Sequence, residues 1–193
     1  RKINMNTESK SRWWGIDDTD KLMADYHDFE WGKPVHDDRH LFEILILDGA
    51  QAGLSWRTIL SKRDNYRQAF DNFDVNKVAL YNDERVQELM NNAGIVRNLL
   101  KIKSATRNAK IFIQIQKEFG SFDNYLWGFT DGKITKNNWQ KQSEVPATSP
   151  LSDKISKDLK KRGMNFVGST IIYAIIQTVG IVDDHLVDCH RSW

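Results

Sequence analysis

Between Gly168 and Gly180 the chain runs through Ile171, Ile172, Tyr173, Ala174, Ile175, Ile176 and Val179, with almost nothing polar on any side. A helix apolar all round has to be covered all round, so this segment predicts a central core helix. Other elements must pack around it. It is too short for a bilayer, which needs about 20 apolar residues in a row, and no run in the chain reaches that length. No N-terminal stretch resembles a signal peptide. At 193 residues the chain is long enough to bury one core and short enough to be one domain, expected over residues 13–193 after a polar tail at 1–12.

The segments that could cover the core helix are also helical in pattern. Asp37 and Asp38 can cap a helix carrying Leu41, Phe42, Leu45 and Ile46 to Asp48 or Gly49. Ser55 can cap the next, in which Trp56, Ile59 and Leu60 share a face and Tyr66, Ala69 and Phe70 follow near its end. Short helices are expected after Asp74 and after Asn82-Asp83, a long amphipathic one over about 99–119, and another from Pro150 to Arg162 closed by Gly163. Residues 129–149 have no period and read as exposed loop. No segment alternates convincingly as a strand would, so the fold class is all-α.

Net charge is only +2, too small to argue for nucleic acid by itself. Its distribution says more. Arg97, Lys101, Lys103, Arg107 and Lys110 crowd one segment, and Lys154, Lys157, Lys160, Lys161 and Arg162 another. Each cluster adjoins a glycine turn, so a pair of solvated helix faces and a phosphate-binding surface are both open readings. The single cysteine, Cys189, excludes an internal disulfide and fits a reducing compartment, so a cytoplasmic location is expected.

Four constellations carry chemistry. Tyr26, Trp31 and Trp56 bring flat aromatic faces near Gly32 and Gly53, and Asp48 follows four apolar residues, where an acid is expensive to bury without a partner. Aromatics can stack a planar heterocycle while one carboxylate accepts from N–H groups at its edge. The plainer alternative is an aromatic core with Asp48 capping a turn. Ala52-Gly53-Leu54-Ser55 offers a leucine that either fills the gap left by an extruded base or packs inward as a helix staple. In residues 89–102 a helix, a turn with Gly94 and a second helix bearing Lys101 and Lys103 form a hairpin that suits one DNA phosphate, or an ordinary reversal with Ile95 and Val96 inside. Finally, His185 and Cys189 lie four apart and with His27 give three zinc-type ligands, but a structural site takes four. His190, Asp17 and Asp18 are weak substitutes. A histidine and a thiol packed without metal is the expectation.

Assembled, these motifs resemble the bacterial DNA-3-methyladenine glycosylase I family, of the helix-hairpin-helix superfamily. The resemblance spans about 14–189 and rests on Tyr26-His-Asp-x-Glu-Trp-Gly32, Gln51-Ala-Gly-Leu-Ser-Trp56, Lys160-Lys-Arg-Gly-x-x-Phe-Val-Gly168 and Asp184-His-Leu-Val-x-Cys189. It implies two helical lobes with a base pocket between them. Tyr26 and Trp56 then match the stacking aromatics and Trp31 a tryptophan of the same pocket. Gln51, Gly53 and Leu54 belong to the DNA-probing turn, and Gly94 to the phosphate-anchoring hairpin. Asp48 stands where the family has a base-binding glutamate, Trp14 where it has a zinc-binding cysteine, and Ile16 where it has a pocket tryptophan whose surface Trp13 or Trp14 can replace.

The implied activity is monofunctional hydrolysis of the N-glycosidic bond of 3-methyladenine, with Asp48 as the catalytic residue, accepting from the base's exocyclic amine or a ring N–H. Double-stranded DNA carrying alkylated bases is the expected partner, with no cofactor, no metal and a monomeric state. The competing expectation is a relative that binds damaged or flipped bases without turnover. A helical protein with no nucleic-acid role is a third.

Overall fold

A computed structural model describes residues 11–190. Most of the polar tail expected at 1–12 lies outside the described residues. Arg12, at its expected end, is buried.

Among the described residues ten α-helices follow one another: α1 (Lys21–Phe29), α2 (Asp38–Ala50), α3 (Trp56–Ser61), α4 (Arg63–Ala69), α5 (Val75–Val78), α6 (Asp83–Met90), α7 (Leu99–Phe119), α8 (Phe122–Gly128), α9 (Pro150–Arg162) and α10 (Ser169–Thr178). The all-α expectation holds. Local chemistry sets the boundaries. The side chains of Asp37, Ser55, Asp74, Asn82, Asn98, Ser121 and Ser149 each accept an N–H from the first turn of the helix they precede. Gly163 ends α9 in the left-handed conformation.

The apolar segment is indeed central. α10 packs between α9 and α2, and Ile172, Ile175, Ile176 and Val179 are buried in the main core. Inside that core Phe42 on α2 meets Phe112 on α7 at 5.2 Å, and Phe112 stacks on Phe122 of α8 at 4.2 Å. Yet α10 is not covered on every side. Ala174 and Gln177 are only partly buried and, with Thr178, border a cavity. Gly180 turns the chain after α10 with φ +81°, and a Cβ there would stand 2.7 Å from the carbonyl oxygen of Gly32, so only glycine fits. This contact presses the end of α10 onto the segment after α1. A smaller cluster of Trp13, Met23, Tyr26, Trp31 and Leu60 is built from the chain's early part, and Trp56 packs against both clusters.

Two expectations need correction. The helix expected from Ser55 to Phe70 is divided at Lys62 (φ −99°, ψ 0°), which ends α3 and precedes α4. After the break Arg63 forks onto both carboxylate oxygens of Glu30, at 2.6 and 2.9 Å. The chain also has strand: β1 (Thr135–Lys136) pairs in parallel with β2 (Val182–Asp183). Two residues leave no period to read in sequence. The same pairing anchors the 129–149 segment. Asn137 and Trp139 donate to one carboxylate oxygen of Asp184 at 2.7 and 2.8 Å, while Tyr173 and Gln177 of α10 donate to the other.

Among the described residues no helix is long and apolar enough to cross a membrane.

Candidate active site

Asp48 lies in the last turn of α2, where every residue from Leu41 to Ala50 is buried. Packing therefore fixes its backbone, and its side chain has only 3% of its surface exposed. Oδ2 has no hydrogen-bond partner. Burial with no compensating cation pushes the carboxyl up to about 8. The acid does not cap the turn after α2: Gln51 N–H bonds the backbone oxygens of Leu47 and Asp48 instead. A buried carboxyl held without a partner is expensive, and it borders a cavity of about 380 Å³. That volume is at the lower end of the range for small-ligand sites.

The cavity's walls are aromatic. Tyr26 comes from the middle of α1, Trp31 from the turn after it and Trp56 from the first position of α3, whose cap is Ser55. Tyr26 is fully enclosed, and its phenol is pushed far up by burial and by the neighbouring Asp48. Its hydroxyl lies 3.4 Å from Thr178 Oγ1 on α10. Trp56 is partly exposed and its indole N–H is buried without a partner. Thus the structure brings Tyr26, Trp31, Asp48 and Trp56 into one site, as the sequence suggested.

Trp14 completes the wall. It sits at φ +62° and packs against Trp31 at 5.4 Å and edge-on to Trp13 at 5.7 Å. Trp14 borders the cavity, Trp13 fills the layer behind it, and Ile16 packs against the same cluster. Met23, Ala174, Gln177 and Thr178 also border the site and were not singled out from sequence. Gln177-Thr178 is the only polar pair inside an otherwise apolar run, which was the available signal. Gln177 is fixed by its 2.9 Å bond to Asp184.

The Gly53–Leu54 turn lies at the cavity's edge, between the bordering residues Gln51 and Ser55. Gly53 has φ +78°, and Leu54 is 38% exposed, so it is not an inward staple. Gln51 borders the cavity and its side-chain amide donates to the Leu54 carbonyl at 3.0 Å. Lys101 reaches the same turn from α7, donating to the carbonyls of Ala50 and Ala52 at 2.7 and 2.6 Å. Its ammonium, expected beside a phosphate, is committed to the protein.

The hairpin is present between α6 and α7. Gly94 N–H bonds the Asn92 side chain at 2.8 Å, Val96 N–H bonds the Tyr66 hydroxyl at 3.2 Å, and Asn98 caps α7. Ile95 is buried, as the plainer reading required, while Arg97, Leu99 and Leu100 are exposed at the tip. A more open groove of about 820 Å³ runs beside Lys103, Arg107 and Lys110. It is larger than the aromatic cavity, but the acid bordering it, Asp83, is exposed.

The zinc-type side chains contact one another and nearby acids. His27 Nε2 faces Cys189 Sγ at 3.2 Å, His27 Nδ1 faces Asp28 at 2.9 Å, and His185 Nδ1 faces Asp183 at 2.8 Å. Among the described residues no three His, Cys, Asp or Glu side chains converge as a metal site.

Comparison with known proteins agrees with this layout. Residues 14–192 match the methyladenine glycosylase family. The DNA-3-methyladenine glycosylase 1 of Escherichia coli (strain K12) is 44% identical over 170 residues, covering 88% of this chain and 91% of the relative. A crystal structure of a 3-methyladenine DNA glycosylase I superposes with TM-score 0.89 at 41% identity, covering 93% of this chain and 98% of the other. The Staphylococcus aureus 3-methyladenine DNA glycosylase I, studied for its recognition of 3-methyladenine, superposes with TM-score 0.86 at 34% identity, over 88% of this chain and 90% of its own.

Proposed function

Because the chain belongs to the methyladenine glycosylase family, we propose that it excises 3-methyladenine from alkylated duplex DNA by hydrolysing the N-glycosidic bond. One observation carries the reading: a buried carboxyl without a hydrogen-bond partner at Oδ2, Asp48, facing an aromatic cavity of nucleobase scale.

The chemistry suits that equipment. Methylation at N3 makes adenine cationic, so when the bond to C1′ breaks the electron pair stays on the base and the base leaves neutral. Water adds to C1′ and gives up a proton. Little general-acid help is needed, and the site offers no lysine nucleophile. The work left to the protein is to extrude the base, hold it and exclude others. In the empty site Asp48 is held largely protonated at neutral pH by burial. A cationic base entering beside it favours the carboxylate and displaces that proton, whereas a neutral purine does not. Selectivity thus comes from charge as well as shape. The ionised Asp48 accepts from the exocyclic amine or a ring N–H while Tyr26, Trp31 and Trp56 offer stacking faces. A damaged base also pairs and stacks poorly, so extruding it costs less.

Leu54, with Gln51 and Gly53, fills the gap left in the duplex, and the hairpin around Gly94 rests on the phosphate backbone. The protein works as a cytoplasmic monomer and needs no cofactor, over a single catalytic domain from residue 13 onward. Chromatography of bases released from methylated duplex DNA tests the reading. Free 3-methyladenine should appear with the parent protein and be lost with Asp48→Ala, which should still bind duplex containing an abasic site. Tight binding with no release by the parent would make the protein a damage-binding module instead.

A further inference from the structure

Among the described residues Lys101 is the one that ties the hairpin to the Gly53–Leu54 turn by hydrogen bonds, and its geometry is not that of a phosphate contact. It stands in the first turn of α7, directly after the Asn98 cap. Its ammonium donates to the carbonyls of Ala50 and Ala52 at 2.7 and 2.6 Å, and no carboxylate pairs with it among the described residues. The last carbonyls of a helix have no partners within it, and the end of α2 attracts a cation. Lys101 therefore serves as the C-terminal cap of α2, supplied from a segment 49 residues later in the chain. On the other side of the turn, Gln51 holds the Leu54 carbonyl and Leu54 N–H bonds the Gln51 carbonyl at 2.7 Å. The turn is clamped from two directions, and only the Lys101 clamp leads to the hairpin.

We propose that Lys101 is a positioning residue that locks the Gly53–Leu54 turn to the first turn of α7, so that the hairpin's grip on the backbone sets where the leucine enters the duplex. The inference rests on the DNA-repair reading above. Asp48 does not depend on this lock, because packing along α2 holds it. Removing the ammonium should therefore separate two properties that a general loss of structure would move together. The pocket should keep its grip on a free base, while extrusion of a base from duplex should fail.

The test uses Lys101→Met, which keeps the stem and removes the donors. Affinity for free 3-methyladenine, read by tryptophan fluorescence, should stay within about twofold. The single-turnover excision rate at saturating duplex should fall about 10- to 100-fold, the range that small misplacements cost. The rise in fluorescence of a 2-aminopurine set beside the lesion, which reports unstacking without chemistry, should fall by about half or more. The slope of log affinity for abasic duplex against log salt should not change. Lys101→Arg, which keeps donors able to reach both carbonyls, should recover much of the rate. A normal rate, or a slope shallower by about one with normal unstacking, would make Lys101 dispensable or an ordinary phosphate contact and overturn the proposal. If Lys101→Met does not fold, Lys101→Gln, too short to reach both carbonyls, is read in the same way. Absence of base release by the parent would sink the proposed activity while leaving the 2-aminopurine reading to decide this inference.

Discussion

Tyr26 and Trp56 face each other with ring centroids 5.5 Å apart and planes inclined by 46°. A purine between two rings needs two stacking contacts, about 7 Å in all, and parallel faces. One ring must move for both to stack on a base. Tyr26 is enclosed within the aromatic cluster, whereas Trp56 is partly exposed at the start of a short helix. Trp56 is therefore the ring expected to shift when a base enters. Trp56→Ala should weaken free 3-methyladenine binding by about 1–3 kcal/mol, roughly 5- to 150-fold, with a small change in melting temperature. Titration calorimetry reads the affinity. Unchanged affinity would remove Trp56 from the site.

The buried acid makes stability depend on pH. Asp48 is raised to about 8 in the folded protein, against about 3.9 for an unfolded aspartate. Between those values the folded state keeps a proton that the unfolded chain has lost. Its contribution to stability is present near pH 4 and falls as pH rises towards 8. Asp48→Asn should flatten that slope and be the more stable protein at pH 8, by on the order of a few kcal/mol. Denaturant melts at pH 5 and pH 8 measure this. Parallel curves for the two proteins would mean that Asp48 is ionised throughout.

Arg12 and Asp28 form a buried ion pair. Arg12 donates twice to Asp28, at 2.8 and 2.7 Å, with both side chains almost fully buried. Burial alone would raise the Asp28 carboxyl, but hydrogen bonds from Arg12 and His27 outweigh it and bring it down to about 2. Arg12→Ala leaves that charge buried without its main partner and should cost about 3–5 kcal/mol. Because the carboxyl is lowered, the stabilisation is complete above about pH 4 and is lost as pH falls towards 2. Thermal melts of parent and variant at pH 7 and pH 3 follow it. In the same melts a chelator should change nothing. One tightly held zinc per chain, found by metal analysis, would contradict the account.

Helix positions were legible because caps and glycines mark them locally, as Ser55, Asn98 and Gly163 do. The long-range consequences were not. Lys101 looked like one cation in a basic run, since nothing local says that Ala50 and Ala52 lie within its reach. Gln177 and Thr178 looked like the end of a core helix, because a 3.6-residue period tells which face differs but not what that face borders. The parallel contact of Thr135 with Val182 joins segments too short to show a period. Asp48 was legible for the opposite reason: an acid after Ile44-Leu45-Ile46-Leu47 is conspicuous in any packing.

The most direct measurement is the titration of the Asp48 carboxyl itself, by carbon-13 NMR of protein labelled at aspartate, with and without an adenine methylated at both N3 and N9, which stays cationic because it cannot leave as a neutral base. The account predicts a midpoint near 8 in the empty protein that drops by more than one pH unit when the base is bound. A midpoint near 4 without ligand, or one that the base leaves unmoved, would contradict it.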